Sequence, residues 1–354
     1  MSWLLMAAHV PPHGQRGGMV RYVVEIAKGL MAQPDLELHV VSDPAAAAFW
    51  EELLGDPGRI HTMVAAPSAA QAFLERRALG CSAFRRRFDV VHGAKHILPR
   101  HARGSTLLTV HDFLPLDRPG DFGRLKRRLL PAPYLASIDA ADALVCVSEA
   151  TRDRLTCYAP HARERAHVIP LAGSSLIGSQ PEPVADLVGV DFALVVGDAS
   201  ARKNLSMLID LWPQVVRRVP SARLAIVGPP GWMNPVRHSA RAGVQHLGFL
   251  PDGQLSWSYA NARVVLCPSV LEGFGLPARE ALDLGGSVIT SEDPALCEAG
   301  PMPHVYASDP AAWVRSICRA FERGPVHVGR TPAMRTWSDV AAETAEVMRS
   351  VLGR

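Results

Sequence analysis

Residues 262–283 constrain the fold of this chain more than any other stretch. An apolar run over 262–267 reads as a buried strand. The chain then passes through Glu272-Gly273-Phe274-Gly275 and enters a helix near Leu276. Pro277 suits the first turn of that helix, where its missing N–H is no loss. Gly273 and Gly275 let the backbone approach a ligand with no Cβ in the way. The first-turn amides are unpaired, and the helix dipole favours an anion or an electron-rich oxygen beside them. Glu272 lies on the loop and Glu280 about one turn inside the helix, so both can face one crevice. An ionised carboxylate only accepts hydrogen bonds, and two of them aimed at one pocket suit the vicinal hydroxyls of a sugar or a ribose.

The same strand, glycine loop and helix recur at the start of the chain. Residues 3–8 read as a strand, a loop carries Gly17-Gly18, and a helix over 19–32 places Val20, Val23, Val24, Ala27 and Leu30 on one face. That is the opening of a doubly wound sheet, with its ligand at the strand's carboxyl end. Further strands are expected over 36–41, from 88, over 106–110 and over 143–147, with Ser148 as an N-cap. A second opening comes at 192–197, followed by Arg202-Lys203-Asn204 and a helix to 219. Two cations where a strand gives way to a helix meet the requirement for holding a diphosphate. Strands at 223–228 and 244–249, helices at 44–54, 255–259, 311–323 and 337–352, and a strand at 287–290 complete the reading. Its expectation is an α/β chain of two Rossmann-like doubly wound domains, at 1–172 and 190–330, joined by a hinge rich in Gly, Ser and Pro.

Composition agrees. A chain of 354 residues is long enough for two domains. A formal net charge of +3 leaves no nucleic-acid footprint. Six scattered cysteines without a Cys-x-x-Cys pair argue for a reducing compartment and against zinc. No apolar run is long enough to span a bilayer, so a cytoplasmic protein is expected. Residues 117–135 set Arg124, Lys126, Arg127 and Arg128 among leucines. Such a stretch reads either as a helix with a solvated face or as a surface lying peripherally on an anionic membrane.

Residues 268–281, with Glu272 and Glu280 eight apart around Gly-Phe-Gly-Leu-Pro, resemble the Glu-x7-Glu signature of the retaining family 4 glycosyltransferases. The resemblance runs nearly end to end and is densest over 195–291. It implies the GT-B fold, with a crevice between the domains and a terminal helix (338–354) returning to the first. It implies that Glu272 meets the transferred hexose and Glu280 the ribose, with Gly273, Phe274, Gly275 and Leu276 lining the donor. Arg202 and Lys203 resemble the family's phosphate clamp, and Gly17-Gly18 its N-terminal glycine loop. His111 resembles a histidine beside the donor hexose; the other reading is a structural His bonded to a backbone carbonyl. Gly228 and the loop through Trp232 resemble the segment near the nucleotide base.

The implied reaction is a metal-independent, retaining transfer of a hexose from a nucleotide sugar, such as GDP-mannose or a UDP-hexose, to an acceptor hydroxyl on a glycan, a lipid-linked or a small molecule. No cofactor beyond the donor is expected. The family's Pro-Val is Ser287-Val288 here, and 296–303 departs from its acidic, Ala- and Gly-rich segment, so base and sugar stay open. The rival readings are a nucleotide-sugar epimerase on the same fold and a non-catalytic GT-B protein.

Overall fold

A computed structural model describes residues 1–14, 17–63, 68–77, 81–173, 176–229, 242–324 and 335–353. The chain divides into two compact units, Met1–Leu171 with Trp337–Arg354, and Ala172–Thr336.

In the first unit the strands are β1 (Ser2–Met6), β2 (Glu37–Ser42), β3 (Ile60–Thr62), β4 (Val90–Gly93), β5 (Ser105–Val110), β6 (Ala143–Cys146) and β7 (Ala166–Val168). They lie in the order β3-β2-β1-β4-β5-β6-β7, and neighbours are parallel. The second unit holds β8 (Phe192–Val196), β9 (Arg223–Val227), β10 (Val244–Gly248), β11 (Val264–Cys267) and β12 (Val288–Thr290), ordered β10-β9-β8-β11-β12 and again parallel. Helices cover both faces of such sheets, which is why β4, β6 and β11 are buried throughout and why β6 and β11 read as unbroken apolar runs.

The helix Gly17–Met31 buries its expected face of Val20, Val23, Val24, Ala27 and Leu30, together with Tyr22 and Ile26. Leu205–Arg218 buries Leu205, Leu208, Ile209, Leu211, Trp212 and Val215, and Trp212 and Trp313 anchor the core beneath it. The terminal helix Trp337–Leu352 returns to the first unit. A Cβ on Gly29 would lie 2.4 Å from the Ala341 Cβ, so a glycine is what lets the two helices approach. Arg349 at its far end pairs with Asp35 at 2.8 Å.

Three expectations are revised. The helix expected over 44–54 begins as a 3-10 turn at Pro44–Ala46, capped by Asp43, and becomes α-helical only at Ala47–Leu54. The strand expected from 88 starts at Val90, although the Phe88 N–H already donates to the Arg103 carbonyl ahead of the ladder. The basic stretch at 117–135 is not one helix. It breaks into Leu114–Asp117, Arg124–Leu129 and Pro131–Ala140, the last starting on a proline that cannot extend the helix before it. Arg124–Leu129 is exposed along its length, with Leu125 at 63% and Leu129 at 50%. Among the described residues no helix is long and apolar enough to cross a membrane.

Candidate functional site

In the second sheet the chain order reverses between β8 and β11, which lie side by side. Loops leaving the carboxyl ends of such a pair run to opposite sides and open a cleft. The loop after β8 carries residues 197–203, and the loop after β11 carries 268–275. The first loop turns through a 3-10 segment, Ala201–Lys203. Asn204 then takes a left-handed conformation (φ 53°), which a short polar side chain tolerates, and the helix Leu205–Arg218 begins. The Val270 N–H donates to the Arg202 carbonyl at 2.8 Å and ties the two loops together.

Arg202 and Lys203 meet Glu272 here. Arg202 Nη1 donates to one carboxylate oxygen at 2.9 Å, and Lys203 Nζ to the other at 2.5 Å. Ser269 Oγ donates to the second oxygen as well, at 2.7 Å. The Glu272 side chain is only 9% exposed. Burial opposes its ionisation, but the positive charges of Lys203 and Arg202 outweigh burial and hold its carboxyl at about 2. Asp198 behaves alike: burial pushes its carboxyl up, while bonds from Ser200 and the two cations bring it below the ordinary value. From the sequence, Glu272 is assigned to the hexose and the cations to the phosphate, with no contact between them. The structure instead joins Glu272 to both of them, because the β8 and β11 loops leave adjacent strands. Lys203, Cys267, Ser269, Glu272, Gly275 and Pro277 line a small cavity at this point.

Glu280 is 3% exposed, on the buried side of the helix Leu276–Asp283, and Tyr259 Oη donates to it at 2.8 Å. Its charge and those of Glu272 and Lys203 all reach the Cys267 thiol at the end of β11. Burial leads in pushing that thiol up to about 12. Gly275 caps the helix with φ 85°, and a Cβ there would lie 2.5 Å from Leu296. Its glycine is therefore required by conformation and by a neighbouring side chain. Phe274 and Leu276 are buried, and Gly273 is half-buried beside them. Gly228 follows β9. A Cβ there would sit 2.1 Å from the Gly197 carbonyl oxygen, so close backbone packing explains this glycine. Residues 230–232, expected near the base, lie outside the described residues.

His111, Gly17 and Gly18 belong to the first unit. Gly17 and Gly18 are exposed at the start of their helix, and Gly17 has φ 62° with open space where a Cβ would be. His111 is buried after β5, with Nε2 at 3.0 Å from the Ala94 carbonyl and its ring edge-on to Tyr22. Burial pushes its imidazole down to about 4, against the pull of that carbonyl. The backbone-bonded alternative for this histidine is thus the contact seen, and it fixes the ring and its tautomer.

Sequence reasoning missed Ser269, Tyr259 and Asp293. Asp293 caps Pro294–Glu298, accepting from Ala295 and Leu296, and also accepts from the Glu272 amide at 3.3 Å. Burial, then the charge of Glu272, raises its carboxyl to about 6. The Asp-Pro pair was a readable cap signal. Nothing local marks Ser269 or Tyr259.

Two doubly wound parallel sheets, the second with an ion-paired cluster at its reversal, make this an α/β protein whose polar residues gather where such folds place their sites. Residues 16–172 match the family described as Glycosyltransferase Family 4, and 191–323 match Glycosyl transferases group 1. The O-antigen chain mannosyltransferase B of Escherichia coli is 27% identical over 79% of this chain and 80% of its own length. Among solved structures, the sucrose-phosphate synthase of Thermosynechococcus elongatus aligns with TM-score 0.77 and 18% identity over 99% of both chains. A putative UDP-N-acetylglucosamine 2-epimerase of Listeria monocytogenes aligns with TM-score 0.65 and 10% identity, over 99% of this chain and 96% of its own. The chain belongs to the family 4 glycosyltransferases and has their two-domain GT-B fold.

Proposed function

We propose that this glycosyltransferase moves a hexose, with retention at the anomeric carbon, from a nucleoside-diphosphate sugar to an acceptor hydroxyl, without a metal. The observation that carries this reading is the convergence of Arg202 and Lys203 on Glu272 at the carboxyl ends of β8 and β11. The leaving group of such a donor gathers negative charge on its outer phosphate as the glycosidic bond breaks. Fixed cations that need no reorganisation at that moment stabilise it, by roughly 3 kcal/mol per contact. Lys203 has three donors, and Glu272 takes one of them. In this reading the diphosphate takes others, and Glu272 keeps the cations in place while it meets the hexose. Glu272 already accepts from three side chains, which favours an orienting role over that of a nucleophile. The departing phosphate then receives the acceptor proton on the same face. Glu280, held by Tyr259, is assigned to the ribose.

Mannose is the first sugar to test, because a relative at 27% identity is described as a mannosyltransferase. GDP-mannose leads the donor panel and UDP-hexoses follow; the acceptor is a glycan, a lipid-linked saccharide or a small molecule. The test follows nucleoside-diphosphate release with and without acceptors, with and without a chelator, and reads the product anomer by proton NMR. Acceptor-dependent, chelator-insensitive release with the donor's anomeric configuration supports the proposal. Conversion of the sugar nucleotide without acceptor, or an inverted product, overturns it.

A further inference from the structure

The first sheet has its own reversal, between β1 and β4. The loops leaving β1, β4 and β5 at their carboxyl ends carry His9, Lys95 with His96, and His111. These groups lie close together. Burial first, then the charges of Lys95, His111 and His96, hold the His9 imidazole well below its ordinary value. His96 is 8% exposed, with its ring 4.8 Å from that of Tyr134 and its Nδ1 buried without a hydrogen-bond partner. His9 Nε2 is buried and unpartnered as well. Lys95 is partly buried, and Glu75 and Asp112 are the acids that reach it electrostatically, opposed by Lys126. Among the described residues Lys95 forms no ion pair with either of them.

An ammonium partly withdrawn from water without a counter-ion is unfavourable, and each orphaned buried imidazole nitrogen is costly. Native structures keep few such groups, and a cluster of them on two converging loops calls for a missing acceptor. An ammonium with three N–H groups and two neutral imidazoles with one each can donate from several directions to one acceptor-only centre. A tetrahedral phosphate has that demand, and charge-assisted bonds to it are the strong ones. We propose that His9, Lys95 and His96 form a binding site for a phosphate-type anion, and, resting on the transferase reading above, that the sugar acceptor carries this group. Lys126, whose charge reaches Lys95, stands on the exposed helix Arg124–Leu129 beside Leu125 and Leu129. The phosphate could therefore be borne by a lipid or by a soluble molecule.

Inorganic phosphate is titrated into the full chain while the ring signals of His9 and His96, assigned through His9→Gln and His96→Gln, are followed by NMR. Both signals are expected to move with one saturable affinity, and Lys95→Met to weaken it at least tenfold. Acetate should bind more weakly than phosphate. Lys95→Met should also raise Tm without phosphate, because it removes an uncompensated, partly buried charge; a merely structural lysine would lower it. His96→Gln repeats the test should Lys95→Met fold poorly. Binding to phosphatidylcholine vesicles with and without phosphatidic acid separates the lipid from the soluble source. Nucleoside-diphosphate affinity should stay within twofold in Lys95→Met and fall in Lys203→Ala, which keeps the two sites apart. Unmoved histidine signals, or wild-type phosphate affinity in Lys95→Met, overturn the anion site. Transfer to a phosphate-bearing acceptor with wild-type KM in Lys95→Met overturns its assignment to the acceptor while leaving the transferase reading intact.

Discussion

The two sheets share one strand order around their reversals, yet their polar clusters are in opposite electrostatic states. After β8 and β11 the cations are paired with acids: Glu272 joins Arg202 and Lys203, and Asp198 feels both cations. After β1, β4 and β5 the donors outnumber the acceptors, and buried nitrogens stand alone. The lesson is that a neutralised cluster holds its geometry before a ligand comes, whereas an uncompensated one is complete only with its ligand. Preorganisation suits the place where a leaving group develops charge.

The contrast can be broken most strongly at Lys203. Lys203→Ala leaves Glu272 buried against one cation, and turnover should fall about a hundredfold with the circular dichroism unchanged. Wild-type turnover would show that the paired cluster does no catalysis. Gly228→Ala sharpens the contrast on the side of stability. Its Cβ meets the Gly197 carbonyl and its φ of 139° is strained, so a loss of about 2 kcal/mol in chemical denaturation is expected. Unchanged stability would return Gly228 to a ligand role. Glu280→Ala should raise the donor KM about tenfold and change kcat little, since ribose binding is felt equally before and in the transition state. A loss confined to kcat would place Glu280 in the chemistry. The smallest effect concerns pH. As pH falls through about 6, Asp293 takes up a proton and a negative charge leaves the neighbourhood of Glu272. Nucleoside-diphosphate affinity should then improve by about threefold between pH 7.5 and 5.5 relative to Asp293→Asn, the size of a partly screened charge. The comparison of the two proteins cancels the ligand's own titration. Parallel pH profiles would mean that Asp293 serves only as a helix cap.

What the sequence made legible was set by range. Strands buried on both faces leave apolar runs, and helices such as Gly17–Met31 leave a stripe, so the order of elements could be read locally. Glu272 through Leu276 was legible because its acid, glycines and proline sit within a few positions. The Ser148 cap was too, and its side chain accepts from Thr151 at 3.0 Å. The pairing of Glu272 with Arg202 and Lys203 spans 70 and 69 residues, and that of Tyr259 with Glu280 spans 21. No local spacing encodes such contacts; the sheet order creates them. The first-unit cluster was hidden for the same reason. His9, Lys95 and His96 look like ordinary loop residues until β1 and β4 align their ends. Ile60–Thr62 and Ser68–Arg77 left little trace, one strand being three residues long and the helix only weakly amphipathic.

The central claim is that the cations after β8 hold the diphosphate of a sugar nucleotide, and the most direct test is the stabilisation that a nucleoside diphosphate confers on the chain. At a hundred times its Kd it should add about 2.7 kcal/mol to the wild type. At the same concentration Lys203→Ala, its affinity lowered at least tenfold, should gain correspondingly less. Equal stabilisation of the two proteins, or none in the wild type, would contradict the account.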